Sequence, residues 1–292
     1  MKKKSTMTLR KLALLCLISA AQSQISAAQT TVDKMAARPS ERVAGLAYAD
    51  IADLADAASL VAQARIGNII KLKPGQAGTV PAGYQRVYVE ANVANLIRGE
   101  GGITPTVRYL YDAPLDARGK LPKLKKAQVI LFARPGTRPG EIQLVARDAQ
   151  VIASPAEIAR VRAILSELVA NDAPPRIMGL GDVFHVAGTI AGEGETQIFL
   201  RTENGDPVSL SILRRPGQEP RWAVALGEIV DEAARPPARG SLLWYRLACG
   251  LPDALPARSV RALSPQDAEA ARADYQVVLS ALGPCGRTRA AR

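Results

Sequence analysis

From Leu60 onward, apolar residues recur in short runs rich in β-formers, separated by Gly and Pro. Leu60 to Ile66 is one such run, and Arg86 to Ile97, Thr106 to Tyr111, Val129 to Ala133 and Ile142 to Val145 follow it. The breakers between them are Pro74-Gly75, Gly99 to Gly102, and Pro135-Gly136 through Pro139-Gly140. Many short strands with this punctuation predict a small barrel or sandwich. The period then changes. Ser154-Pro155-Ala156-Glu157 opens a helix, with Ser154 as cap, Pro155 at the first helical position and Glu157 placed to complete a capping box. Ile158, Val161, Leu165 and Leu168 share one face of it, and Asn171 to Pro175 end it.

The second half returns to strand-like runs at Val183 to Ile190, Thr196 to Thr202, Val208 to Leu213, Trp222 to Ile229 and Leu242 to Cys249. At Asn204-Gly205 the register can be argued. A two-residue loop sets Leu200 opposite Ser209 and mixes the faces, whereas the loop Glu203-Asn204-Gly205, with Gly205 left-handed, sets Leu200 opposite Val208 and Ile198 opposite Leu210. The second arrangement is expected. Ser264-Pro265-Gln266-Asp267 then caps a last helix, whose apolar positions are Ala268, Ala271, Tyr275, Val278 and Leu282, and Gly283-Pro284 stop it. Trp222 and Trp244, each beside apolar neighbours, are expected to be buried.

Ahead of these elements stands a different text. Lys2, Lys3, Lys4, Arg10 and Lys11 precede the apolar run Leu12 to Ala21, and the small residues Ser26-Ala27-Ala28 follow. This order reads as a secretory signal peptide spanning 1–28, with Ser23 as the other cleavage candidate. The apolar run is too short for a lasting membrane span, which takes roughly 20 residues. Leu15 in front of Cys16 disfavours a lipid anchor, because a small residue is required there. Residues 29–45 are small, polar and aperiodic, and read as a flexible leader.

Export changes the meaning of the composition. Removing residues 1–28 takes away five of the 38 Lys and Arg and none of the 27 Asp and Glu, lowering the formal charge from +11 to +6. It also takes Cys16 and leaves two thiols, Cys249 and Cys285, which in an oxidising compartment make one structural disulfide. Closing that loop is worth roughly 3–4 kcal/mol in the chain-entropy model. The expected location is periplasmic or secreted.

The segment Ala57-Ala58-Ser59-Leu60-Val61-Ala62-Gln63-Ala64-Arg65-Ile66, the run Val87 to Val93 followed by Asn95-Leu96-Ile97-Arg98-Gly99, and Val129-Ile130-Leu131-Phe132 together carry a resemblance. Residues 54–145 resemble the netrin-like or tissue-metalloprotease-inhibitor-like barrel, an oligonucleotide/oligosaccharide-binding (OB) topology. The inhibitors of that family use an N-terminal cysteine, which the processed chain lacks, so the resemblance implies a fold and carries no site across. The whole chain also resembles exported proteins of alphaproteobacteria, a resemblance that implies no activity. The expected architecture is mainly β, with two small β domains. An OB-like barrel spans 46–153, a linking helix 154–172, and a second β domain with a disulfide-clamped C-terminal helix 173–292.

Candidate chemistry is sparse. His185 is the only histidine, and in Val183-Phe184-His185-Val186 it reads as a strand residue at a surface or rim rather than a base. With one His and two bonded Cys no metal site is expected, and no cofactor motif occurs. Glu193 and Glu195, and Glu228, Asp231 and Glu232, are acidic clusters; as paired carboxylates they would support a hydrolase of an envelope polymer. Arg118, Lys120, Lys123, Lys125 and Lys126 form a basic stretch suited to an anionic envelope component or another envelope protein. Its alternative is a solvated loop that guards a strand edge. Arg214, Arg215 and Arg221 around Pro216-Gly217 read as a hairpin turn. Nucleic acid is not expected, since the basic run lacks interleaved aromatics. The leading role is non-catalytic binding or scaffolding by Lys120, Lys123, Lys125 and Lys126; the alternatives are the hydrolase and a protease-inhibitor-like module.

Overall fold

The computed structural model describes residues 46–227 and 235–289. The signal segment, the leader, Glu228, Asp231, Glu232 and the end of the run expected to reach Ile229 lie outside the described residues. The chain is mainly β, with two antiparallel sheets and a few helices. No helix among the described residues is long and apolar enough to cross a membrane.

Helix α1 (Tyr48–Ala57) comes first. Strand β1 (Leu60–Lys71) follows, then the single turn α2 (Pro74–Ala77), β2 (Tyr84–Arg98), β3 (Thr106–Pro114), β4 (Gln128–Pro135), β5 (Ile142–Leu144) and β6 (Gln150–Ile152). The hydrogen-bonded order is β3-β2-β1-β4-β5, with β6 on the same side of β4 as β5. One parallel bridge, Arg108 to Glu141, brings β3 back to the start of β5. The sheet thus curls into a partly open barrel with strands in the cyclic order 1-2-3-5-4. Val87, Val89 and Ala91 of β2 and Val107 and Tyr109 of β3 fill its interior.

Strand β4 is buried on both faces, and its sequence shows why. Val129, Leu131 and Ala133 point into the barrel, while the intervening Ile130 and Phe132 point out of it and are fully buried in a second core. A strand covered on both faces reads as a continuous apolar run instead of an alternation. The second core is completed by α1, by α3 (Pro155–Leu168) and by the second sheet. Ser154 caps α3 by accepting the Glu157 amide, as expected, but the Glu157 side chain does not close the box; it pairs with Arg160 at 3.0 Å.

The second sheet is a meander in the order β10-β9-β8-β7, made of β7 (Ile177–Ala187), β8 (Gly194–Thr202), β9 (Val208–Arg214) and β10 (Arg221–Ala225). Leu200 lies opposite Val208 and Ile198 opposite Leu210, the register expected from a three-residue loop, and Gly205 has φ 83°. Residues 171–175 do separate the two sheets along the chain, yet the sheets share the second core, and the chain from Leu46 packs as one compact unit.

One expected strand is a helix. Leu242 to Cys249 forms α4 (Leu242–Gly250), capped by Ser241, which accepts the Trp244 amide at 3.2 Å. Its residues are buried on several sides, so it has no polar stripe to reveal the helical period. A turn at Ala257–Val260 leads to α5 (Pro265–Leu282), whose five expected apolar positions are all buried, as are Trp222 and Trp244.

The pair Cys249–Cys285 is bonded, with Cα atoms 4.9 Å apart. It joins the segment after α5 to the end of α4, the element expected to be the last strand. From there residues 287–289 run onto α1. The Arg287 guanidinium makes two bonds to Asp53 at 2.6 and 2.9 Å. Asp50 accepts the amides of Thr288 and Arg289 at 2.9 and 3.0 Å, together with the Ala47 amide at its own helix start. Burial alone would raise the Asp50 carboxyl, but bonds donated by Thr288, Arg289 and Ala47 outweigh it and hold the group below its ordinary 3.8.

Replacing Cys249 and Cys285 together by Ser is expected to lower stability by about 3–4 kcal/mol, read from urea unfolding. Because the folded value of Asp50 lies below the unfolded one, its contribution is fully present above about pH 4 and lost as pH falls through the lowered value. Asp50→Asn should remove that part of the acid dependence and speed proteolysis after Cys285. An unchanged acid profile would show that the clasp does not depend on this carboxylate.

Candidate functional site: the seam of the barrel

Strand β3 has nine residues and β5 only three, so the barrel cannot close along its whole seam. Arg108 donates its amide to the Gly140 carbonyl at 2.8 Å, and the pairing ends with that bridge. Backbone groups two residues apart on a strand point to the same side. The N–H and C=O of Leu110 and Asp112 therefore face the seam, and no strand is paired beside them among the described residues.

Beside the bridge lies a cleft of about 940 Å³. Its walls are the outer face of β2 and β3, the loop Pro135 to Thr137, and β5. On the β2–β3 face three cross-strand pairs succeed one another: Glu90 with Arg108, Tyr88 with Leu110, and Arg86 with Asp112. Leu110 is 52% exposed, an apolar side chain held open to solvent. Both Asp112 oxygens are taken by Arg86, at 2.6 and 2.8 Å. Arg147 is a second guanidinium on that already satisfied carboxylate, at 3.6 Å and with 59% of its side chain exposed. The cleft thus offers an unpaired strand edge, an apolar patch and a cation with spare hydrogen-bonding capacity.

The four expected lysines lie elsewhere. Lys120, Lys123, Lys125 and Lys126 are exposed on the loop between β3 and β4, and none of them lines the cleft. That loop is held in shape. Asp116 accepts the amides of Arg118 and Lys120, Leu124 is buried at the barrel, and Lys126 adopts φ 71° while donating its amide to Ile66. No ion pair to any of the four lysines occurs among the described residues, so their charge is presented outward, as a binding loop or as a guard on the edge.

His185 is more deeply set than a surface reading implies: its side chain is 7% exposed while its neighbour Phe184 is 54% exposed. Thr196, fully buried, donates its hydroxyl to Asp274, so it can only accept from the His185 Nδ1–H at 2.8 Å. Arg214 holds the other oxygen of Asp274. A hydroxyl already committed to a carboxylate and shut away from solvent is no nucleophile, and the chain is a structural relay from β7 through β8 to α5. Asp274 had no apolar pattern to reveal it. Glu193 and Glu195 line neither the seam cleft nor the smaller one beside α1. In that smaller cleft, of about 360 Å³, Asp56 is held by Arg246 at 2.8 and 3.1 Å and by Arg176 at 2.7 Å.

No local pattern in the sequence marks the cleft. Arg86, Tyr88, Arg108, Leu110, Asp112 and Arg147 fall at ordinary strand and turn positions, and nothing in their spacing says that β5 stops early. Asp274→Ala is expected to cost on the order of 3 kcal/mol, since it strands the Arg214 charge, and His185→Ala about 1 kcal/mol. Urea unfolding measures both; unchanged stability in both variants would overturn the structural reading. Comparison with known proteins finds no family model that matches this chain, and no curated protein matches it significantly.

Proposed function

We propose that this chain is an exported protein of the cell envelope that acts as a non-catalytic binding or scaffolding module, with the seam cleft as its contact surface. The observation that carries the reading is the open seam: an unpaired edge of β3 beside Tyr88, Leu110 and an underused Arg147. Export is supported by the basic-apolar-small order of residues 1–28 and by the bonded pair Cys249–Cys285. The cyclic strand order supports kinship with the netrin-like barrels. The exposed lysines of the β3–β4 loop, without an ion pair among the described residues, favour a second contact, with an anionic envelope component. The hydrolase reading keeps Glu193, in the turn before β8, and Glu195, on β8, as its carboxylates, and neither lines the two clefts.

Cross-linking in intact cells, with mass spectrometry of the captured species, tests the proposal. A discrete partner is expected, lost when Arg108 and Arg147 are both changed to Glu. Partial loss on changing Lys120, Lys123, Lys125 and Lys126 to Gln would assign the loop a share of the contact. Capture that ignores both sets would overturn the reading, and turnover of an envelope polymer abolished by Glu195→Gln would replace it with the hydrolase.

A further inference from the structure

The chemistry of the seam restricts what can occupy it. A strand edge whose N–H and C=O groups meet no paired strand among the described residues is matched by another extended backbone, since each added residue pair completes a ladder the barrel leaves unfinished. Side chains on the outer face then fall into rows across the sheet. A residue seated beside Leu110 extends the row Tyr88–Leu110 and meets an apolar surface. The residue two positions along lies on the same face and extends the row Arg86–Asp112, where Arg147 stands with a side chain 59% exposed. Arg86 has both Asp112 oxygens, so Arg147 loses little by turning to a second carboxylate, and a guanidinium-carboxylate pair is among the stronger polar contacts. The residue between these two points toward the barrel side of the seam, by Tyr109 and Ile142, and must be one that a strand accommodates.

We propose that the seam binds an extended peptide segment by strand addition to β3, and selects one with an apolar residue and a carboxylate two positions apart on the same face. This rests on the reading of the cleft as the binding surface. The two possible strand directions exchange the order of the apolar and acidic residues, and the side-chain spacing is the same in both.

The probes are fluorescent nonapeptides centred on Leu-Thr-Glu and on Glu-Thr-Leu, each with a control in which Lys replaces the Glu. Binding to the processed protein is read by anisotropy, and amide hydrogen exchange of Leu110 and Asp112 is read by NMR. One acidic peptide is expected to bind at least about tenfold more tightly than its Lys control, and to slow exchange at both amides. Arg147→Glu should reverse the preference. Leu110→Pro should abolish binding, because it removes a seam-facing donor while the ladder to β2 uses the alternate residues. If that variant fails to fold, Arg147→Glu and the exchange data still decide.

Binding that leaves the two amides unprotected would overturn strand addition. So would the absence of any peptide binding while the cellular partner still depends on Arg108 and Arg147; in both cases the cleft remains the contact surface. If no partner depends on the cleft either, both readings fall, and Arg147 is a charge that guards an exposed edge.

Discussion

Three carboxylates on one side of α1 gather the parts of this molecule that the sheets alone would leave apart. Asp50, Asp53 and Asp56 recur at a spacing of three, so they share a helical face, while Ile51 and Leu54 on the other side enter the second core. The acidic face is met by Arg287 to Arg289 from the end of the described chain, by Tyr245 and Arg246 from α4, and by Arg176 just before β7. A carboxylate taken out of water costs several kcal/mol unless it is paired, and removing one partner costs more than the pair contributes. The helix therefore needs all three neighbours in place. The disulfide at Cys285 holds the segment before Arg287 beside α4, which limits how far the clasp can open.

With α1 anchored in this way, β4 can be buried on both faces. One side belongs to the barrel and the other to the core that the second sheet and the helices share. That double burial explains why residues 171–175 mark a change of sheet without producing two separately packed bodies. The barrel is left incompletely paired at the seam between β3 and β5. A long strand facing a short one leaves a backbone edge unsatisfied. The structure sets charged side chains there, and such charges can either repel chance strands or select a particular one. Their arrangement, with a second guanidinium on a carboxylate already bonded twice, favours selection.

The polar relay of His185, Thr196, Asp274 and Arg214 does comparable work inside the second sheet. It fastens α5 to β7, β8 and β9 through a buried carboxylate, and the direction of each hydrogen bond follows from which groups can donate. Residues that would attract attention in a search for catalysis are here consumed by packing.

How much of this was legible in the residues differs from element to element. Alternation, turn chemistry and caps are local, so most strands of both halves, the helices after Ser154 and Ser264, and the three-residue loop at Gly205 could be read directly, and with them the mainly β class; the short β6 and the start of β7 at Ile177 could not. The pairing of Cys249 with Cys285 followed from arithmetic alone. Helix α1 was legible through its Asp spacing but went unread, and α4 was taken for a strand because a segment buried on several sides shows no period. The site lies beyond local rules altogether. That Leu110 faces solvent while Tyr109 faces the barrel, that Arg147 meets Asp112, and that β5 ends before it can cover β3 all depend on which strands meet and for how long. Pairing across the seam joins residues more than thirty positions apart, and only the closed fold brings them together.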